Sequence, residues 1–201
     1  MTTLHVRLTG ITSILAGICI FSGGSIHYFF HNPFGHWILY FGDILLVFAL
    51  TGLYAVQSRQ SGILGLLGYI LAAAGTMILS VSSFLILADV YGLKAAHETW
   101  MFMYIDTSLY LPALYAKLLG VVFLGLSTAY AGVLPRWAGI LFALSAVVDL
   151  PAELLPGMIG LYLVAVALAL ISLAWMGLFL LRPRPAPFAA SQSGGQFLEA
   201  P

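Results

Sequence analysis

Charge is what this sequence has least of: among 201 residues, seven are Lys or Arg and seven are Asp or Glu, for a formal net charge of zero. Ordinary globular chains carry about 25% charged residues. The 7% found here therefore excludes a water-soluble domain and, with it, most soluble-enzyme chemistries. No basic run occurs, so nucleic acid has no electrostatic footprint on which to bind. Cysteine is nearly absent as well. The lone Cys19, set in an apolar stretch, excludes a disulfide framework, a zinc–cysteine site and Cys-x-x-Cys redox chemistry. Nucleotide-binding motifs, a nucleophile elbow and the glutamate offsets of metalloprotease and di-iron sites are also missing.

What the chain does have is apolar length: 62% of its residues are apolar and its mean hydropathy is +1.06. A spanning helix needs about 20 mainly apolar residues, and six segments qualify: 8–30, 37–57, 62–89, 109–132, 137–155 and 157–181. The expected fold is all-α, a polytopic membrane protein made of a bundle of six transmembrane helices over residues 1–181. A flexible tail of Arg, Pro, Ala, Ser, Gln and Gly follows over 182–201. Breakers mark the turns: Asn32-Pro33, Ser58 to Gly62, Leu134-Pro135 and Leu155-Pro156-Gly157. The one long connection, Tyr91 to Ser108, carries Trp100, Met101, Phe102, Met103 and Tyr104 and reads as an external interfacial segment between the third and fourth helices. The first helix has too long a core and no small-x-small site for a signal peptide, so it is read as retained. Ile18 before Cys19 argues against a lipoprotein box.

Basic residues favour the cytoplasmic side of short loops. With the N-terminus cytoplasmic, Arg7, Arg59, Arg136, Arg182 and Arg184 all fall inside, Lys94 falls outside and Lys117 lies within a helix. The C-terminus is then cytoplasmic too. Six acids (Asp43, Asp89, Glu98, Asp106, Asp149 and Glu153) and four histidines gather in the outer half, so any site should open outward. At about 1.5 Å per residue, Asp43 lies roughly 9 Å below the start of the second span, Lys117 roughly 12 Å below the start of the fourth, and Asp149 roughly 9 Å from the outer end of the fifth. Each such group costs about 2.5–3.5 kcal/mol at a helix centre, which predicts Lys117 paired with Asp43, Asp149 or both. Glu153 follows Asp149 by four residues and shares its face, with Pro151 between them. Three readings stay open for this charged layer of Asp43, Lys117, Asp149 and Glu153: ion pairs that lock helices together, the floor of an outward-facing pocket for a polar ligand, ion or proton, or side chains that snorkel to the headgroups.

The histidines leave the same choice. His27 and His31 are spaced i, i+4, as suits a metal, and His36 or His97 would complete the shell. The alternative is a set of interfacial imidazoles bonding loop carbonyls and headgroups, and an axial ligand to a haem or chlorophyll pigment is a third use. Gly62, Gly65, Gly68, Ala72 and Gly75 form a small-residue stripe for close helix packing. Tyr28, Phe29, Phe30, Trp37, Tyr40, Trp100 and Tyr104 read as an outer aromatic belt, and Trp137 as the inner one.

The runs Leu50-Thr51-Gly52-Leu53-Tyr54 with Gln57, Gly62 to Tyr69, Ala74-Gly75-Thr76 and Gly132 to Leu141 resemble a loosely defined group of bacterial six-helix integral membrane proteins of unassigned function. The resemblance implies that topology and the inner (cytoplasmic) membrane of a bacterium, and it carries over no catalytic residue. With no catalytic motif in view, the expected function is a small non-catalytic membrane subunit or binding protein. It packs in the bilayer with other membrane proteins or copies of itself, or holds a lipid-like or quinone-like molecule. The rival expectation is a membrane-embedded enzyme or ion-coupled carrier with an outward-facing charged site, with or without a histidine-bound metal.

Overall fold

A computed structural model describes residues 3–30, 34–90, 108–155 and 158–182. The described chain is all-α, with no strand: α1 (Thr3–Phe30), α2 (Phe34–Val90), α3 (Tyr110–Ala131), α4 (Arg136–Leu154) and α5 (Ile159–Leu181). All five helices are long and apolar enough to cross a membrane. The interfacial segment expected after Tyr91, the Asn32-Pro33 turn and the tail from residue 183 onward lie outside the described residues.

Five helices stand where six were expected, because Ser58 to Gly62 is not a loop. No proline precedes Gly62, so helical geometry runs on through Ser61, and only Gly62 departs from it, at φ 57° and ψ −158°. That backbone region is open almost solely to glycine, and it turns the chain within one residue. Tyr54 and Tyr69 stack with ring centroids 5.0 Å apart, the Thr51 and Tyr69 hydroxyls lie 3.2 Å apart, and Tyr40 sits 5.8 Å from Phe84. In an unbroken helix Tyr40 and Phe84 would be about 66 Å apart. The two arms of α2, 34–61 and 63–90, therefore lie side by side and antiparallel.

The helices close into a ring. α1 packs on the first arm of α2, the second arm packs on α3, α3 on α4, α4 on α5, and α5 returns to α1. Neighbours run antiparallel throughout, as the close approaches of Gly52 to Thr9, Gly68 to Leu124, Gly139 to Gly125 and Gly177 to Gly10 record. Without a hydrophobic force between helices in lipid, such contacts depend on backbones meeting closely. Gly75 is the clearest case, since a Cβ there would strike the backbone of Ala113 and Lys117. At the α3–α4 corner Gly132, at φ 67°, ends α3 with its N–H donating to the Thr128 carbonyl, and Pro135 starts α4.

The ring's two ends differ. Leu50, Leu53, Leu124, Leu134, Ala138, Met176 and Leu180 fill the half that carries Arg7, Arg59, Arg136 and Arg182. Two buried hydroxyls there bond carbonyls, Thr128 to Leu124 of its own helix and Ser172 of α5 across to Ala138 of α4 at 2.8 Å, whereas the Ser61 hydroxyl is buried without a partner. The outward surface is apolar on every helix, with Phe48, Ile63, Leu119, Val147 and Ile171 among its exposed side chains. The opposite half of the ring carries Asp43, Lys117, Asp149 and Glu153.

Candidate functional site

Helical spacing builds this site from both ends of its residue pairs. Residues seven apart share a face, which applies to His36 and Asp43 on the first arm of α2 and to Tyr110 and Lys117 on α3. On α4, Asp149 and Glu153 are one turn apart and Ser145 lies one turn further in. α5 adds Tyr162, and α1 adds His27 and Tyr28. All of these side chains line one cavity of about 430 Å³. It occupies the half of the ring away from the four arginines.

Position along the helices sorts the lining. Furthest from the arginines stand His27, Tyr28, His36, Tyr110, Glu153 and Tyr162; a middle layer holds Asp43, Lys117, Ser145 and Asp149; Leu46, Val121, Phe142 and Leu173 lie nearest the arginine half. The four charged residues singled out in the sequence are thus brought together around shared space. Their expected pairing is corrected. Among the described residues none lies within 4.0 Å of Lys117 as an ion-pair partner, and Lys117 acts electrostatically on both Asp43 and Asp149. In the ring the second arm of α2 stands between the first arm, which carries Asp43, and α3, which carries Lys117.

The carboxylates are unequally satisfied. Tyr110 donates its hydroxyl to Glu153 Oε2 at 3.2 Å. Asp149 Oδ1 is buried with no hydrogen-bond partner. Asp43, only 8% exposed, lines the cavity and makes no hydrogen bond to any described residue. Counted as ionised, three carboxylates face one ammonium, so the lining carries a surplus of two negative charges. A low-dielectric site relieves such a surplus either by taking up protons or by admitting compensating charge.

His27 and His36 also reach the cavity, their ring centroids 4.3 Å apart and tilted by 54°. His31 and His97 lie outside the described residues. Among the described residues no group of three or more His, Cys, Asp or Glu is placed to hold a metal. Comparison with protein families, curated proteins and solved structures gives no match. The site's chemistry has to come from its own geometry.

Three tyrosines are the residues that sequence reasoning missed. Tyr28, assigned above to the outer belt, turns into the cavity and meets Tyr162 with ring centroids 4.5 Å apart. Tyr162 is buried and its hydroxyl lies over Gly24, where a Cβ would sit 2.6 Å away. Glu153 and Asp149 lie near enough to Tyr28, Tyr110 and Tyr162 to act on all three electrostatically. For Tyr110 the heptad step to Lys117 was the available signal, whereas for Tyr28 the belt assignment hid the alternative.

Proposed function

We propose that this chain is an integral membrane protein whose helix ring encloses a binding chamber for an amphipathic small molecule. In this reading the two arms of α2 count as separate spans, making six in all. The termini are cytoplasmic, and the chamber opens on the outer face. The apolar exterior supports the bilayer setting, the arginines gathered at one end support the orientation, and the resemblance at Gly132 to Leu141 supports the inner membrane of a bacterium. One observation carries the binding function: Asp43, Lys117, Asp149 and Glu153 line a common cavity whose inner end is apolar. At about 430 Å³ the cavity falls within the size of small-molecule sites.

The reading favours ligand holding over a purely structural role, because charges kept to lock helices would be joined pairwise. Asp149 Oδ1, buried without a partner, also favours a second reading in which the same chamber belongs to an ion-coupled carrier or a membrane enzyme. Native mass spectrometry with elemental analysis on protein gently extracted from its own membrane tests both. The expected result is a stoichiometric small molecule that is absent from an Ala146→Trp variant, whose indole fills the chamber. A bare chain bound only to other proteins would favour the subunit role and count against the chamber.

A further inference from the structure

The chamber's charge and aromatic lining specify a class of ligand. Resting on the chamber reading above, we propose that it binds an organic cation: an ammonium group attached to an apolar body. Three features of the lining converge on this. The first is the surplus of carboxylates over ammonium, three against one. The second is where the surplus sits. Lys117 acts on Asp43 and Asp149 in the middle layer, and Glu153 stands one turn beyond Asp149, at the level of His27 and His36. The third is the company that Glu153 keeps. Tyr110 holds it by a 3.2 Å hydrogen bond, and Tyr28 and Tyr162 stand beside it with rings 4.5 Å apart.

Aromatic faces attract a cation through the ring quadrupole, most strongly where water is excluded, and quaternary ammonium groups are recognised by such clusters. A tyrosine cluster holding a carboxylate therefore seats a positive charge. Asp149, one turn inward on the same face of α4, presents its unpartnered Oδ1 as a further acceptor. The apolar body has its own place. On α5 the lining runs Tyr162, Ala165, Val166, Ala169, Leu173 with no polar side chain after Tyr162. That lane is about 16 Å long. Beside it α4 offers Ala146 and Phe142, and Lys117 stands on α3, which is not a neighbour of α5 in the ring. A cation entering head-outward thus meets acid and aromatic rings at the mouth and small apolar side chains beneath.

The test uses the full chain in nanodiscs of uncharged lipid, with empty nanodiscs to correct for partitioning. Labelled benzyltrimethylammonium is the probe, and its neutral carbon isostere neopentylbenzene and the anion phenylmethanesulfonate are the competitors. The expected result is saturable one-to-one binding of the cation, with the isostere and the sulfonate weaker by on the order of tenfold or more. Glu153→Gln, which keeps the shape, should weaken the cation by a similar factor and leave the isostere unchanged. Tyr162→Phe should keep binding, since the aromatic face remains, whereas Tyr162→Leu should lose it. Equal affinity for the isostere, or preference for the sulfonate, would overturn the cation assignment and leave the chamber standing. No saturable binding by any of the three would overturn both.

Discussion

Replacing Gly62 by alanine puts the most direct stress on the architecture. Gly62 sits at φ 57° and ψ −158°, and a Cβ built there meets nothing within 4 Å. Any cost is therefore backbone strain alone, without collision. Non-glycine residues in this region cost of order 1–3 kcal/mol, a roughly 5- to 150-fold shift toward unfolded chain. The chain cannot relieve the strain by straightening. α2 has 57 residues, so an unbroken helix would be about 85 Å long against a hydrocarbon core of about 30 Å, and it would lose the Tyr54–Tyr69 and Tyr40–Phe84 contacts. Reversible unfolding in mixed micelles reads the effect, with semisynthetic D-alanine at the same position as the control, because its mirror-image preference accepts positive φ. The expected order is glycine and D-alanine alike, with L-alanine lower by at least about 1 kcal/mol. An L-alanine variant within about 0.5 kcal/mol of the parent, inside the ordinary range for surface substitutions, would refute a single-residue reversal at Gly62.

Three further outcomes follow from the same geometry. Lys117→Met should destabilise by about 1–3 kcal/mol, because its charge acts across the cavity, and Asp43→Asn in the same chain should restore part of the loss; a cost of about 3–5 kcal/mol would instead indicate a direct buried pair. Ser172→Ala removes the 2.8 Å bond from α5 to the Ala138 carbonyl of α4 and should cost about 0.6 kcal/mol, with about 1.7 as a ceiling, in the same unfolding assay. Tyr110→Phe deletes the donor to Glu153, so a carboxylate infrared band assigned by Glu153→Gln difference should move in the variant and stay put if the two groups never meet.

Much of this was legible because hydropathy speaks loudly in a chain with so few charges. The limits 109–132, 137–155 and 157–181 differ from the observed helices by no more than two residues at either end. The α2 boundary was misread because Ser58 to Gly62 has loop composition, yet without proline nothing stops the helix before Gly62. The i, i+4 spacing placed Asp149 and Glu153 on one face, and both line the cavity. Cost per buried charge predicted that Asp43, Lys117 and Asp149 would meet, and it could not say whether they would touch or share a space, since that depends on how wide the ring stands. Tyr28 was misplaced for a related reason. A tyrosine near a helix end suits a headgroup belt or a cavity mouth equally well, and only closure of α1 against α5, with Gly24 clearing room for Tyr162, separates the two.

The central claim is that a water-accessible chamber opens at the acidic end of the ring, and a single cysteine tests it most directly. Ser145 lines the cavity at the level of the charged layer and is only 5% exposed. Ser145→Cys is nearly isosteric and, with Cys19→Ser, becomes the sole thiol. Membrane-impermeant methanethiosulfonates applied to either side of sealed vesicles should label it from the outer side alone, with the cationic reagent faster than the anionic one. A thiol that resists both reagents from both sides until the protein is unfolded would contradict the chamber.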